Sequence, residues 1–220
     1  MKWLGLLVPG LACVLGTQLA AQETKKFSYV DLQPKANQKL TDNFAGDEGN
    51  SLASLPKGEQ TLEKVKFKVA DGLIQLGSPL LKEKMPDRVD GIKVGQAFVK
   101  LHLLHATQFG SRLGVIADDT EIAKYIVHYE GGATETIPVV YGPDVRNWWY
   151  SADEKGVTRG KVAWMGENER TKKFLGRQLR LYLSTWENPH PTKKVVSIDY
   201  VKVGDTPAGP FCVAMTLEEK

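Results

Sequence analysis

The sequence predicts an all-β protein in which two antiparallel sheets pack as one β-sandwich. Three observations predict it. Short segments alternate apolar and polar residues with period two. Gly, Pro, Asn and Asp clusters separate them. Helical patterning is scarce, so no helical layer is available to cover a sheet. Segments with one polar and one apolar face suit antiparallel pairing, because such sheets tolerate a solvated face.

The chain opens on a different pattern. Lys2 gives a short positive start, Trp3 to Gly16 is uncharged and mostly apolar, and Thr17 to Ala21 ends in small residues. That order is a secretory signal peptide over residues 1–21. Its apolar run is shorter than the about 20 residues a permanent membrane helix needs. Cleavage is expected near Ala21, although Leu19 stands where a small residue is preferred. Cys13 offers a rival lipoprotein reading. Against it, Gly10 occupies the Leu-like position of a lipobox and the apolar stretch continues past Cys13. A secreted or periplasmic protein with no transmembrane segment after processing is expected.

Removing 21 of 220 residues leaves 199, Gln22 to Lys220. A domain of that size buries about 70% of its unfolded surface and needs no covalent staples. Cys212 is then the only cysteine, so core packing must hold the fold. The formal charge of +3 falls to +2 without Lys2. That is too mild to predict a nucleic-acid partner.

Gln22 to Lys26 reads as a disordered polar lead, and 27–220 as the single β-sandwich domain. Alternation is clearest in Lys64–Val69, Ala97–Ala106, Glu121–Glu130, Gln178–Trp186, Lys194–Val201 and Phe211–Leu217. Each is expected to have one wet and one buried face. Weaker strands are Ser28–Leu32, Leu73–Leu76, Val89–Val94 and Lys161–Trp164. Gly131-Gly132 supplies the positive φ of a tight hairpin. The strand Thr134–Tyr141 contains Pro138, which belongs at an edge or a bulge. Glu167 to Leu175 is expected to form one or two helical turns. The many strands favour a jelly roll, with an immunoglobulin-type sandwich as the alternative.

Catalytic signals are sparse. His102 and His105 lie three apart on a strand and point to opposite faces, so they cannot share one metal. No paired cysteines suit zinc. Oxygen-rich stretches offer Asp42, Asp47, Asp118 and Asp119 as candidates for a structural calcium; solvated loops are the other reading. No Gly-x-Ser-x-Gly elbow or phosphate loop occurs. Cys212 sits in an alternating strand without an adjacent base, as a small inert thiol.

The aromatics carry the positive signal. The run from Tyr141 to Tyr150 packs Trp148, Trp149 and Tyr150 beside Asp144, Arg146 and Asn147. Three adjacent aromatics cannot all face one core in an extended chain, so at least one is expected at a rim. Sugar recognition needs this mixture, a flat apolar ring for the C–H face and planar polar groups for the hydroxyls. The loop after Trp186 is stiffened by Pro189 and Pro191 and holds Glu187, Asn188 and His190 as further candidate ligand contacts.

The run Lys100-Leu-His-Leu-Leu-His-Ala-Thr, then Tyr125-Ile-Val-His-Tyr-Glu-Gly-Gly, Glu135-Thr-Ile-Pro, Tyr141-Gly-Pro-Asp-Val-Arg-Asn-Trp-Trp, Thr185-Trp-Glu-Asn-Pro-His-Pro and Val196-Ser-Ile-Asp-Tyr resembles galactose-binding-like jelly-roll domains. These are similar to carbohydrate-binding modules of bacterial extracellular proteins. The resemblance runs from about Tyr29 to Leu217. It implies binding residues on loops at one end of the sandwich and leaves the ligand open. The expected function is therefore an exported, non-catalytic carbohydrate-binding module. Alternatives are a structural or protein-interaction domain of the bacterial cell envelope, and a glycoside hydrolase with dispersed carboxylates.

Overall fold

The computed structural model describes residues 25–110 and 115–220. The expected signal peptide, its expected cleavage site and Cys13 lie outside the described residues. Fourteen strands follow in order: β1 (Phe27–Val30), β2 (Gln38–Lys39), β3 (Gly58–Leu62), β4 (Val65–Val69), β5 (Gly72–Gln75), β6 (Arg88–Gln96), β7 (Lys100–Gln108), β8 (Glu121–Tyr129), β9 (Thr134–Val140), β10 (Trp149–Ser151), β11 (Lys161–Gly166), β12 (Arg177–Glu187), β13 (Val195–Lys202) and β14 (Gly209–Glu218). The protein is all-β, and every strand pair is antiparallel.

The largest sheet has eight strands and curls into a half-barrel. Its path is β10-β12-β7-β14-β5-β2, with β1 beside β14 and β11 beside β12. A four-stranded sheet runs β6-β13-β8-β9, and β3 and β4 form a separate hairpin. Pro138 lies on β9, an edge strand, where its missing N–H interrupts no interior ladder. Gly131 and Gly132 turn β8 into β9 with φ of 92° and 89°. The Glu219 N–H donates to the Lys26 carbonyl at 2.9 Å, extending the β1 ladder backwards.

One expectation needs correction. The central strands do not have one wet face: β14 is buried throughout, and β7 is buried except for a half-buried Lys100. The reason is cover on both sides. Residues opposed in register share a face, so His105, Tyr182 and Ser184 lie on one side and His102, Leu183 and Thr185 on the other. On the first side the four-stranded sheet closes over the core. There the His105 and Tyr125 rings lie 6.3 Å apart, and Tyr125 stacks on Tyr200 at 4.4 Å. On the second side lie the β3–β4 hairpin, pinned where Thr216 Oγ1 donates to the Lys66 carbonyl at 2.8 Å, and the segment around Phe44. Glu167 to Leu175 contains one 3₁₀ turn, Thr171–Lys173, within the one or two turns expected. Strands β2, β3 and β10 escaped the sequence pattern because they are short or polar, and their partners define them. Among the described residues no helix is long and apolar enough to cross a membrane.

Candidate functional site

Trp148 and Trp149 are neighbours with opposite fates. The Trp148 N–H donates to the Thr107 carbonyl at 2.8 Å, fixing the strand entry. Its ring is 2% exposed and packs against Phe44 and Phe211, with centroids 4.9 and 5.9 Å away. Trp149 begins β10 and faces the same way as its partner Leu179. Nothing covers it completely, so it stays half-buried. Its indole Nε1 donates to Asn50 Oδ1 at 3.0 Å. Asn50 is itself fixed, donating through Nδ2 to the Phe44 carbonyl at 3.1 Å and accepting from Asn168 Nδ2 at 3.2 Å.

A cleft of about 370 Å³ opens at this ring. Phe174 stands across it, 47% exposed, edge-on to Trp149 at 5.8 Å. Arg170 lies 5.8 Å over the outer face of Phe174. Asn50, Asn147 and Gln108 bring amides to the walls, and Asp47, Arg170 and Arg177 bring charge. Asp47 lies 4.0 Å from Arg170 and 3.7 Å from Lys82. Two wall residues, Ala45 and Phe109, hold positive φ of 58° and 51°. Non-glycine residues avoid this region at a cost of roughly 1–3 kcal/mol, and such strain gathers at ligand sites. Flat rings inclined at 61° to one another, in a cleft also lined by amides and guanidinium groups, can grip the apolar and hydroxyl faces of one small polar ring.

Of the sequence candidates, Trp148, Trp149 and Asn147 line this cleft, with Asp47 beside them. Tyr150 is half-buried, with the Arg180 guanidinium 4.8 Å from its ring centre. Asp144 and Arg146 serve the loop itself. Asp144 is buried, accepts the Val140 N–H at 2.8 Å and pairs with Arg159 at 2.5 Å. Arg146 is buried and grips both oxygens of Asp118 at 2.8 and 3.0 Å, which holds the Asp118 carboxyl below its usual range. Behind them Arg180 pairs with Glu154, whose carboxyl burial pushes up.

Glu187, Asn188 and His190 do not join the cleft. Glu187 pairs with Lys100 at 2.8 Å. Asn188 is buried, donating to the Phe98 carbonyl at 2.9 Å and accepting from the Tyr129 hydroxyl at 2.6 Å. His190 stands edge-on to Tyr129 at 5.4 Å. This loop is pinned by its polar side chains.

Among the described residues no three His, Cys, Asp or Glu side chains gather to hold a metal. Asp42 accepts the Lys39 N–H at 2.7 Å, and Asp119 takes a turn position with φ of 68°. His102 and His105 do face opposite ways. His102 Nδ1 meets Thr185 Oγ1 at 2.8 Å, and His105 Nε2 meets Ser184 Oγ at 2.8 Å. Cys212 is fully buried, which pushes its thiol up to about 12. A thiol held protonated is no nucleophile.

Sequence reasoning missed Asn50, Gln108, Phe109, Arg170, Phe174 and Arg177. The available signal was Arg170, Phe174 and Arg177 sharing one polar segment with an unshielded aromatic. Comparison with family models, with curated proteins and with solved structures finds no match to this chain in any of the three.

Proposed function

We propose that the chain is an exported, non-catalytic binding module of galactose-binding-like jelly-roll type that takes a carbohydrate in the Trp149 cleft. The observation that carries this reading is the half-exposed Trp149 with its ring plane fixed by Asn50 and faced by Phe174. The fixed indole offers a flat apolar platform, and the amides of Asn50, Asn147 and Gln108 and the Asp47 carboxylate are among the residues lining the cleft around it. A volume of about 370 Å³ suits one or two pyranose rings. An eight-stranded and a four-stranded antiparallel sheet in one all-β chain support the jelly-roll reading. Among the described residues lining the cleft Asp47 is the one carboxylate, whereas glycoside hydrolysis needs two facing each other.

A glycan array probed with Gln22–Lys220, with Trp149→Ala beside it, tests the proposal. Saturable binding that the variant loses is the expected result. Binding that the variant retains, or silence from a folded sample, overturns it. The observation favouring a second reading is the exposed pair Phe174 and Leu175, at 47% and 104% exposure. Silence on the array together with capture of an envelope protein that Leu175→Ser abolishes would favour a protein-interaction domain.

A further inference from the structure

Among the described residues five non-glycine residues hold positive φ. Ala45 and Phe109 line the Trp149 cleft. Asp119 sits in a turn. The remaining two, Glu63 and Lys64, with φ of 48° and 65°, form the tip of the β3–β4 hairpin. Leu62 pairs with Val65, so the tip is a two-residue turn. Such a turn needs positive φ at both positions and is best served by Asn-Gly. Glu63 and Lys64 are both exposed and gain no core contact that would compensate for the strain.

The tip overhangs a groove of about 780 Å³ on the same face of the large sheet as Trp149. Five cations, Lys25, Lys64, Lys100, Arg159 and Lys161, line it against two carboxylates, Glu63 and Glu218. Three of the cations are engaged. Lys25 pairs with Glu218 at 2.9 Å, Lys100 with Glu187 at 2.8 Å, and Arg159 with Asp144 at 2.5 Å. Lys64 and Lys161 have no ion-pair partner among the described residues. His102, 3% exposed, forms the floor with one ring nitrogen on Thr185 and the other 3.2 Å from Glu218. The groove thus has a fixed polar floor, two uncommitted ammonium groups and a strained tip that projects one of them.

We infer that this groove is a second binding site, for an anionic saccharide chain carrying carboxylate or sulfate groups, with Lys64 and Lys161 contacting the anions. The anionic character rests on the groove alone. The saccharide class rests on the carbohydrate reading of the neighbouring cleft. No Phe, Tyr or Trp side chain lines the groove among the described residues, and the one ring there, His102, is 3% exposed, so single-stranded nucleic acid finds no exposed stacking platform there.

Calorimetric titration of the whole exported chain tests this with four probes: a galacturonate oligosaccharide, a sulfated heparin-derived oligosaccharide, neutral cellohexaose and a single-stranded oligonucleotide of matched charge. The uronate and sulfate arms identify which anion is read. The double variant Glu63→Asn with Lys64→Gly should raise Tm by about 2–4 °C as the turn strain is relieved. The same variant should weaken binding of the anionic saccharide at least tenfold. Lys161→Ala should weaken it similarly, and Trp149→Ala should leave it unchanged. Undiminished binding by the stabilised tip variant overturns the inference. So does equal affinity for the oligonucleotide, or failure of the native chain to bind either anionic saccharide. Failure of both anionic probes while neutral glycans bind would sink the groove alone; the reverse pattern would sink the Trp149 cleft alone.

Discussion

The two faces of the eight-stranded sheet are covered in different ways. One face meets a continuous four-stranded sheet, and its groups are shut in: His105, Tyr125, Tyr182 and Tyr200 are all buried. The other face is covered piecewise, by the segment around Phe44 at one end and the β3–β4 hairpin at the other. Piecewise cover leaves gaps at its margins, and both the Trp149 cleft and the cationic groove are such gaps. Of the five non-glycine residues with positive φ among the described residues, four line them. A continuous lid stabilises; a divided lid stabilises less and leaves room for ligand.

The largest expected effect tests the cover beside the cleft. Trp148→Ala removes a buried ring wedged between Phe44 and Phe211. A loss of about 3–5 kcal/mol is expected, which lowers Tm by roughly 10 °C. Thermal unfolding of the variant measures it. A fall below about 2 °C would mean that the Phe44 segment does not depend on this ring and is not a packed lid.

The closed face makes a prediction of its own. His105 is fully buried and one of its ring nitrogens, Nδ1, has no hydrogen-bond partner. Burial pulls its pKa down to about 4, with the Asp144 charge acting weakly the other way. The unfolded chain takes up the same proton near 6.5. Between these values the unfolded state binds more protons, so stability is complete above about pH 6.5 and is lost as pH falls toward 4. The contribution is on the order of 3 kcal/mol. Burial also lowers His102, on the other face, so it adds in the same direction. Urea midpoints at pH 7 and 4.5 should differ, and His105→Gln should shrink the difference. An unchanged difference would place the acid sensitivity elsewhere.

Much of this division was illegible in the sequence. Alternation revealed the strands because side-chain direction is local. It could not reveal that β7 and β14 are covered on both sides, since that depends on a hairpin over 30 residues earlier folding back onto them. The Trp148–Tyr150 run declared that some aromatic must reach a rim, but not which one. That was decided by Phe44 and Phe211 taking Trp148, and by Asn50, 99 residues away, fixing Trp149. Asp144, Arg146 and Asn188 had the right chemistry for a ligand and are spent on holding loops: Asp144 on the nearby Val140 and Arg159, Arg146 on Asp118, and Asn188 on the distant Phe98 and Tyr129.

The effect on the open face is smaller in energy and sharper in meaning. Trp149→Ala should weaken saccharide binding at least tenfold, about 1.4 kcal/mol, with Tm changing by less than about 3 °C. Asn50 still accepts from Asn168 in the variant, so the wall should persist. A Tm fall as large as that of Trp148→Ala would erase the distinction between the neighbours and make Trp149 part of the lid.

The smallest expected effect concerns the acidic loops. Asp118 gives both oxygens to Arg146, Asp42 accepts a backbone N–H, and Asp47 lies near Arg170 and Lys82. Calcium binding needs six to eight oxygens free to converge on one point, and these carboxylates already face cations or donors of their own chain. Adding EDTA should therefore shift Tm by less than about 1 °C, on the scale where 1 kcal/mol moves a protein of this size 2–4 °C. A larger fall would mean that an ion, and not Arg170 and Lys82, holds the Asp47 side of the cleft. The open face would then be completed by a metal, and saccharide binding should fall with chelation in parallel with Tm.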